Sequence, residues 1–132
     1  MKTLIVEDDF TSRLLLQEIL KAHGPTHTAV NGKEAVEAVD VAMKAGEPYD
    51  LICMDIMMPE MDGQTSLRQI RDLEAAQGIF STDGAKVVMV TALGDIHSVA
   101  RSFNGLCDAY VVKPISRGKL LQSLRQIGFR EI

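Results

Sequence analysis

Short apolar runs alternate along the chain with longer amphipathic stretches, and this alternation constrains the fold more than any other feature of the sequence. The strong runs span residues 4–6, 51–54, 87–90 and 109–112, with a weaker candidate at 26–30. None of the strong runs alternates polar with apolar residues, which is typical of strands buried on both faces of a parallel sheet. We therefore predict five β-strands in such a sheet.

The stretches between these runs carry the spacing and the end signals of helices. Asp9 and Thr11 are candidates to cap a first helix that runs to about His23, before Gly24 and Pro25. The apolar positions of this helix at helical spacing are Leu15, Leu16, Ile19 and Leu20.

Asn31 followed by Glu34 resembles a capping box, which predicts the start of a second helix. The predicted buried stripe of this helix consists of Ala35, Val36, Val39, Ala42 and Met43. Later helices are predicted over residues 64–76, 95–104 and 116–127, and the polar residues 77–84 are predicted to form a surface loop.

Five strands that alternate with five helices predict an α/β fold with helices on both faces of the sheet. The length of 132 residues fits a single domain over 1–132. In open sheets of this kind, ligands bind beyond the carboxyl ends of the strands. We therefore look for functional residues at those ends.

The carboxyl ends of the predicted strands carry acidic groups, one hydroxyl group and one ammonium group. Glu7, Asp8 and Asp9 follow the first strand, and Asp55, Thr91 and Lys113 follow the third, fourth and fifth. Clustered carboxylates repel one another, so the protein must protonate one of them, spread them apart or bind a cation, and oxygen ligands alone suit Mg²⁺. Asp is also a nucleophile that forms aspartyl-phosphates. Taken singly, each residue has a plainer explanation, such as a helix cap or a surface ion pair.

The composition excludes several classes of protein. The net charge of −4 argues against a nucleic-acid or membrane-surface binder, which needs a basic face. Cys53 and Cys107 lie in apolar stretches without metal-ligand spacing, so we expect two buried thiols in a reducing compartment. No run approaches the roughly 18 apolar residues of a membrane span. We expect a cytoplasmic protein without membrane insertion.

The chain resembles the receiver domains of response regulators from two-component signalling, such as the chemotaxis regulator. The resemblance covers nearly the whole chain and is carried by four segments in the observed order. They are residues 4–9 (LIVEDD), 55–63 (DIMMPEMDG), 90–92 (VTA) and 110–114 (YVVKP). It implies a flavodoxin-like, doubly wound five-stranded parallel sheet of order 2-1-3-4-5 with five helices.

The resemblance also implies roles for the residues at the strand ends. Asp55 matches the phosphoacceptor, and Thr91 and Lys113 match the hydroxyl and the lysine that contact the phosphoryl group. Glu7, Asp8, Asp55 and the Met57 carbonyl match the groups that hold Mg²⁺ or Mn²⁺. Asp8 matches the acid that binds the metal directly, and Glu7, in place of the commoner Asp, matches the acid that usually acts through a water. The peptide bond before Pro114 is typically cis in the family.

A switch and a set of partners follow from the same resemblance. Thr91 and Tyr110 match residues that move on phosphorylation and change the surface of the fourth helix, the fifth strand and the fifth helix. The phosphoryl donor is expected to be a histidine kinase or a histidine phosphotransfer protein, and the output a downstream effector protein. After Pro114 the sequence lacks the Arg-Glu pair of dimeric transcription-factor receivers, so we expect a monomer or weak dimer. The initial Met and the absence of a linker after the fifth predicted helix favour a stand-alone receiver over a domain of a larger protein.

Two other functions remain to be weighed. A hydrolase of the haloacid dehalogenase type needs a second Asp two residues after its nucleophile, and Met57 stands there. A degenerate receiver that only binds other proteins usually lacks the acceptor or the lysine, and both are present. The product of phosphorylation is a changed surface, so we do not expect an enzyme in the ordinary sense.

Overall fold

A computed structural model describes residues 1–80, 83–92 and 106–132. The predicted helix over 95–104 lies outside the described residues. Five strands form one parallel sheet in the order β2-β1-β3-β4-β5, as predicted. They are β1 (Thr3–Val6), β2 (Thr26–Ala29), β3 (Leu51–Asp55), β4 (Lys86–Thr91) and β5 (Ala109–Val112).

Four α-helices are present in the described part of the chain. They are α1 (Phe10–Leu20), α2 (Gly32–Lys44), α3 (Gly63–Ala76) and α4 (Arg117–Gln126), and a 3₁₀ turn at Lys21–His23 extends α1. Their bounds lie within a residue or two of the predicted ones, apart from the 3₁₀ turn that completes the first helix. Among the described residues, no helix combines the length and the apolar character needed to cross a membrane.

The predicted caps set where the helices begin. The Asp9 carboxylate accepts a hydrogen bond from the Ser12 amide and starts α1, and Asn31 accepts one from the Glu34 amide and starts α2. The return bond of the capping box differs from the usual form, because the Glu34 carboxylate accepts from the Val30 amide rather than from Asn31. These two hydrogen bonds hold Val30 and Asn31 in place just before α2 begins.

Two apolar layers cover the two faces of the sheet. Because successive strand residues point to opposite faces, Leu4, Ile52 and Val87 pack towards α2 and α3, while Ile5 and Cys53 pack towards α1 and α4. All residues of β1 and β3 are buried, which agrees with the continuous apolar runs. The edge strand β2 leaves its two middle residues exposed.

The apolar stripe of α1 is narrower than its sequence suggests. Leu16, Ile19 and Leu20 are buried against the sheet, but Leu15 is 40% exposed. Leu15 therefore lies outside the face of α1 that packs on the sheet. The predicted stripe of α2 is closer to the structure, with Ala35, Val39 and Ala42 buried and the other two positions partly buried.

Candidate phosphoacceptor and cation site

Parallel strands bring the predicted functional residues to a single edge of the sheet. Glu7 follows β1, Asp55 and Thr91 are the last residues of β3 and β4, and Lys113 follows β5. Residues Val6 and Met54 are register partners, and Asp55 pairs with Val90. This register places the ends of the three central strands at the same level, so side chains far apart in the sequence share one site.

Three carboxylates form a compact acidic cluster at this edge. Glu7, Asp8 and Asp55 each offer one oxygen, and these oxygens lie within 4.8 Å of one another. Glu7 is fully buried, Asp55 is buried, and Asp8 is exposed at the mouth of the site. The cluster is therefore buried on the side of Glu7 and Asp55 and open to solvent on the side of Asp8. Such a donor set suits a hard divalent cation such as Mg²⁺.

Lys113 lies beside the acidic cluster and contacts two of its members. Its Nζ is 3.0 Å from Glu7 Oε1 and 3.5 Å from Asp55 Oδ2. Partial burial acts to lower the pKa of Lys113, but the Glu7 and Asp55 carboxylates outweigh it and raise that pKa. The lysine is therefore a permanent positive charge at neutral pH. The peptide bond between Lys113 and Pro114 is cis.

Glu7 is the least satisfied polar group of the site. Despite the ion pair with Lys113, neither carboxylate oxygen of Glu7 has a hydrogen-bond partner of good geometry among the described residues. Burial raises the pKa of Glu7 to about 7, the neighbouring Asp55 adds to the rise, and Lys113 opposes it. A buried carboxylate with free lone pairs is costly unless a proton or a cation joins it. The site residues therefore fit a bound cation.

The loop after Asp55 returns directly to the site. The Met57 amide donates to Asp55 Oδ1 at 3.3 Å, and the Met57 side chain is 69% exposed beside it. Glu60 has a φ of +66°, in the left-handed region that turns the chain towards α3. The Gly63 amide then donates to the Ile56 carbonyl at 2.9 Å. This closed loop fixes the backbone on both sides of the Asp55 carboxylate.

The two predicted switch residues lie on β4 and β5. The buried Thr91 donates its hydroxyl proton to the Ala92 carbonyl at 3.2 Å. Tyr110 is half-buried and packs against the core layer under α2 and α3. Its pKa rises to about 12, first because burial disfavours the phenolate and then because of its hydrogen bond with Cys107.

Arg13 was not among the residues singled out from the sequence, yet it contacts the backbone of the acidic residues. Its Nη1 donates to the Glu7 carbonyl at 3.0 Å and to the Asp8 carbonyl at 3.4 Å. A helical side chain leans towards the amino end of its helix, so a residue one turn after the cap can reach the preceding loop. The sequence signal that indicates this contact is the position of Arg13 four residues after the helix cap Asp9.

Comparisons with known proteins agree on one family. The model of the response regulator receiver domain matches residues 3–125. The chemotaxis protein CheY of Bacillus subtilis is 32% identical over 127 residues, which cover 95% of each chain.

Two solved structures are also similar to this chain. The receiver domain of the histidine kinase CKI1 from Arabidopsis thaliana, complexed with Mg²⁺ and BeF₃⁻, has a TM-score of 0.80 and 29% identity over 96% of this chain and 88% of that one. The CheX–CheY–BeF₃⁻–Mg²⁺ complex of Borrelia burgdorferi has a TM-score of 0.79 and 29% identity, with the same coverage of 96% and 88%.

Proposed function

Since the family model covers residues 3–125, the chain belongs to the response regulator receiver family, and we propose that it accepts a phosphoryl group on Asp55. The observation that carries the proposal is the Asp55 carboxylate at the end of β3, beside Lys113 and within 4.8 Å of two other acidic groups. An acceptor needs a site that opens to solvent on one side, as this one does at the exposed Asp8, so that a donor can approach in line.

The transfer step uses the groups that surround Asp55. One carboxylate oxygen attacks the phosphorus of a phosphohistidine, a phosphorus–oxygen bond forms, and the phosphorus–nitrogen bond breaks. The electron pair of the broken bond stays on the imidazole nitrogen, which takes a proton from solvent. The Lys113 ammonium, 3.5 Å from Asp55 Oδ2, attracts the incoming phosphoryl oxygens, and the Thr91 hydroxyl donates to one of them.

Glu7, Asp8, Asp55 and the Met57 carbonyl are the proposed ligands of Mg²⁺ or Mn²⁺. The oxygen-only donor set and the unpartnered Glu7 carboxylate support this assignment. When bound, the cation neutralises the negative charge that develops on the phosphoryl oxygens. Glu7 lies on the buried side of the site, and Asp8 lies on its exposed side.

Phosphorylation is proposed to act through Thr91 and Tyr110. The Thr91 hydroxyl, which now donates to the Ala92 carbonyl, exchanges that bond for one to the phosphoryl group. Tyr110 then moves further into the space beside β4. This movement changes the surface formed by β5 and α4, the helix that corresponds to the fifth predicted one. The half-buried position of Tyr110 supports this, because the ring lies between the core and the surface.

The proposed donor is a histidine kinase or a histidine phosphotransfer protein, and the proposed output is an effector protein in the cytoplasm. The relation to a kinase receiver and to CheY of the CheX complex supports both classes of partner. The net charge of −4 disfavours direct nucleic-acid binding. The chain acts as a signalling switch and not as a turnover enzyme.

Incubation with acetyl phosphate and Mg²⁺, followed by intact-protein mass spectrometry, tests the proposal. We expect one added phosphoryl group in the wild type and none in Asp55→Asn. Asp72→Asn, which alters an exposed carboxylate on α3, is the matched control and should label like the wild type. A wild type that gains no phosphoryl group under saturating conditions would contradict the proposal and favour a receiver that only binds proteins.

A further inference from the structure

The loop that carries two of the proposed cation ligands has little regular structure of its own. Only Glu7, Asp8 and Asp9 separate the end of β1 from the start of α1. The Glu7 amide is held by the Ala29 carbonyl of β2 at 3.0 Å. Among the described residues, the Asp8 carboxylate accepts no hydrogen bond, so its direction depends on the backbone that carries it. Asp9 ties the end of the loop to α1, because its carboxylate accepts from the Ser12 amide at 2.9 Å, but that bond does not reach the Glu7 and Asp8 carbonyl groups.

The Arg13 guanidinium contacts both of these carbonyl groups. Its Nη1 donates to the Glu7 carbonyl at 3.0 Å and reaches the Asp8 carbonyl at 3.4 Å, the outer end of hydrogen-bond range. The Glu7 backbone is thus held by β2 through its amide and by α1 through its carbonyl. One side chain fixes the backbone of both acidic residues relative to the helix that follows them.

The surroundings of Arg13 favour a planar guanidinium over an ammonium. Its Cζ lies 5.6 Å from the centroid of the Phe10 ring, within the range of a cation–π contact. Arg presents its donors in a fixed fork, whereas Lys presents a single flexible point of charge. Both contacts come from Nη1, which lies one covalent bond further from the backbone than the Nζ of a lysine, so a lysine retains the charge but falls short of the two carbonyl groups.

We propose that Arg13 is a positioning residue for the cation site, which holds the Glu7–Asp8 backbone so that both carboxylates face Asp55. The inference rests on the proposed function. If Arg13 acted only through its charge, its removal should tighten Mg²⁺ binding, because a guanidinium near a divalent cation repels it. Positioning predicts weaker binding, since groups that orient metal ligands are worth roughly 10–100-fold in metal affinity. The two effects differ in sign, so a titration separates them.

The experiment compares Mg²⁺ affinity by isothermal titration calorimetry in the wild type, Arg13→Met and Arg13→Lys. A pH near 8 keeps Glu7 ionised, and urea unfolding without Mg²⁺ establishes that each variant is folded at the titration temperature. We expect Arg13→Met to bind about 10-fold more weakly and Arg13→Lys to lie between it and the wild type. Loss of stability alone does not change the affinity of a protein that remains folded.

Lys21→Met is the matched control, because it removes an exposed positive charge that contacts Glu18 and not the loop. It should bind Mg²⁺ within about twofold of the wild type, since exposed charges are screened by salt. Unchanged or tighter binding by Arg13→Met would overturn the inference while the proposed function stands. Absence of Mg²⁺ binding in the wild type would overturn the proposed function and the inference together.

Discussion

Glu7 combines features that a single side chain rarely holds. It is fully buried, it lies 3.0 Å from an ammonium group, and it still lacks a hydrogen-bond partner of good geometry among the described residues. Its pKa rises to about 7 because the cost of burying the charge exceeds what Lys113 returns. Near neutral pH, a proton and a divalent cation therefore compete for the same carboxylate.

The raised pKa of Glu7 predicts a pH-dependent stability in the absence of divalent cations. Between about 4.5 and about 7 the folded chain holds a proton on Glu7 that the unfolded chain has released. The stabilisation is therefore complete below about 4.5 and is lost as the pH rises through about 7. We expect the free energy of unfolding to fall by roughly 1–3 kcal/mol across this window.

Urea unfolding in EDTA at several pH values measures this loss. Glu7→Gln should flatten the pH dependence in this window, since an amide does not titrate. Glu37→Gln, at an exposed position of α2, is the control and should keep the wild-type slope. Equal slopes for the wild type and Glu7→Gln would show that Glu7 does not carry the effect.

At the scale of elements, α3 and β3 meet closely at the site. A methyl group added at Gly63 would lie 2.5 Å from the Asp55 carbonyl oxygen and 2.9 Å from the Ile56 Cα. These are backbone atoms, which cannot rotate away as a side chain could. Glycine at the first position of α3 therefore lets the helix begin directly against the strand end that carries Asp55. The distance between helix and strand is part of the geometry of the site.

Gly63→Ala is predicted to destabilise the protein by about 1–3 kcal/mol and to weaken phosphorylation of Asp55, because the added methyl group displaces the strand end. Gly118→Ala is the matched control, since among the described residues no atom beyond the adjoining residues and the backbone of α4 lies within 4 Å of the added methyl group. It should stabilise the protein by about 0.5–1 kcal/mol, as alanine favours a helix. Urea unfolding and acetyl phosphate labelling measure the two effects. A stable and fully labelled Gly63→Ala would contradict the close packing described here.

On the scale of the whole molecule, a buried ion network joins segments at the end of the sheet opposite to Asp55. Arg71 of α3 donates to the Ala85 and Leu106 carbonyls, each at 2.9 Å, and pairs with Glu74 at 2.7 Å. The other Glu74 oxygen accepts from the Ala85 amide at 2.8 Å. Asp108 accepts from the Val87 amide at 2.7 Å. One guanidinium thus ties α3 to the starts of β4 and β5.

Removal of the Arg71 charge should be strongly destabilising. In Arg71→Met, Glu74 keeps its charge in a buried position with 6% of its side chain exposed, which costs about 3–5 kcal/mol. Arg71→Met combined with Glu74→Gln should recover part of this loss, because no buried charge is left unpaired. Arg68→Met, at an exposed position of the same helix, should change stability by less than about 0.5 kcal/mol. Urea unfolding measures all four proteins, and equal losses for Arg71→Met and Arg68→Met would refute a role for the network.

The order of the elements and the gathering of Glu7, Asp55 and Lys113 could be predicted from the sequence. Apolar periodicity and helix caps act over a few neighbouring residues, so short stretches of sequence encode them. Parallel strands that alternate with helices must end at a common edge, which brings residues from separate segments together without further information. The same reasoning identified Asp9 and Asn31 as helix caps.

Only the tertiary structure decided how exposed each side chain is to solvent and which groups it contacts. The raised pKa of Glu7, the support of the loop by Arg13, the exposure of Leu15 and the network around Arg71 are the main examples. Each depends on which distant segments lie against a residue and how closely they approach. Desolvation and hydrogen-bond geometry change over fractions of an ångström, and no local pattern of sequence specifies such distances.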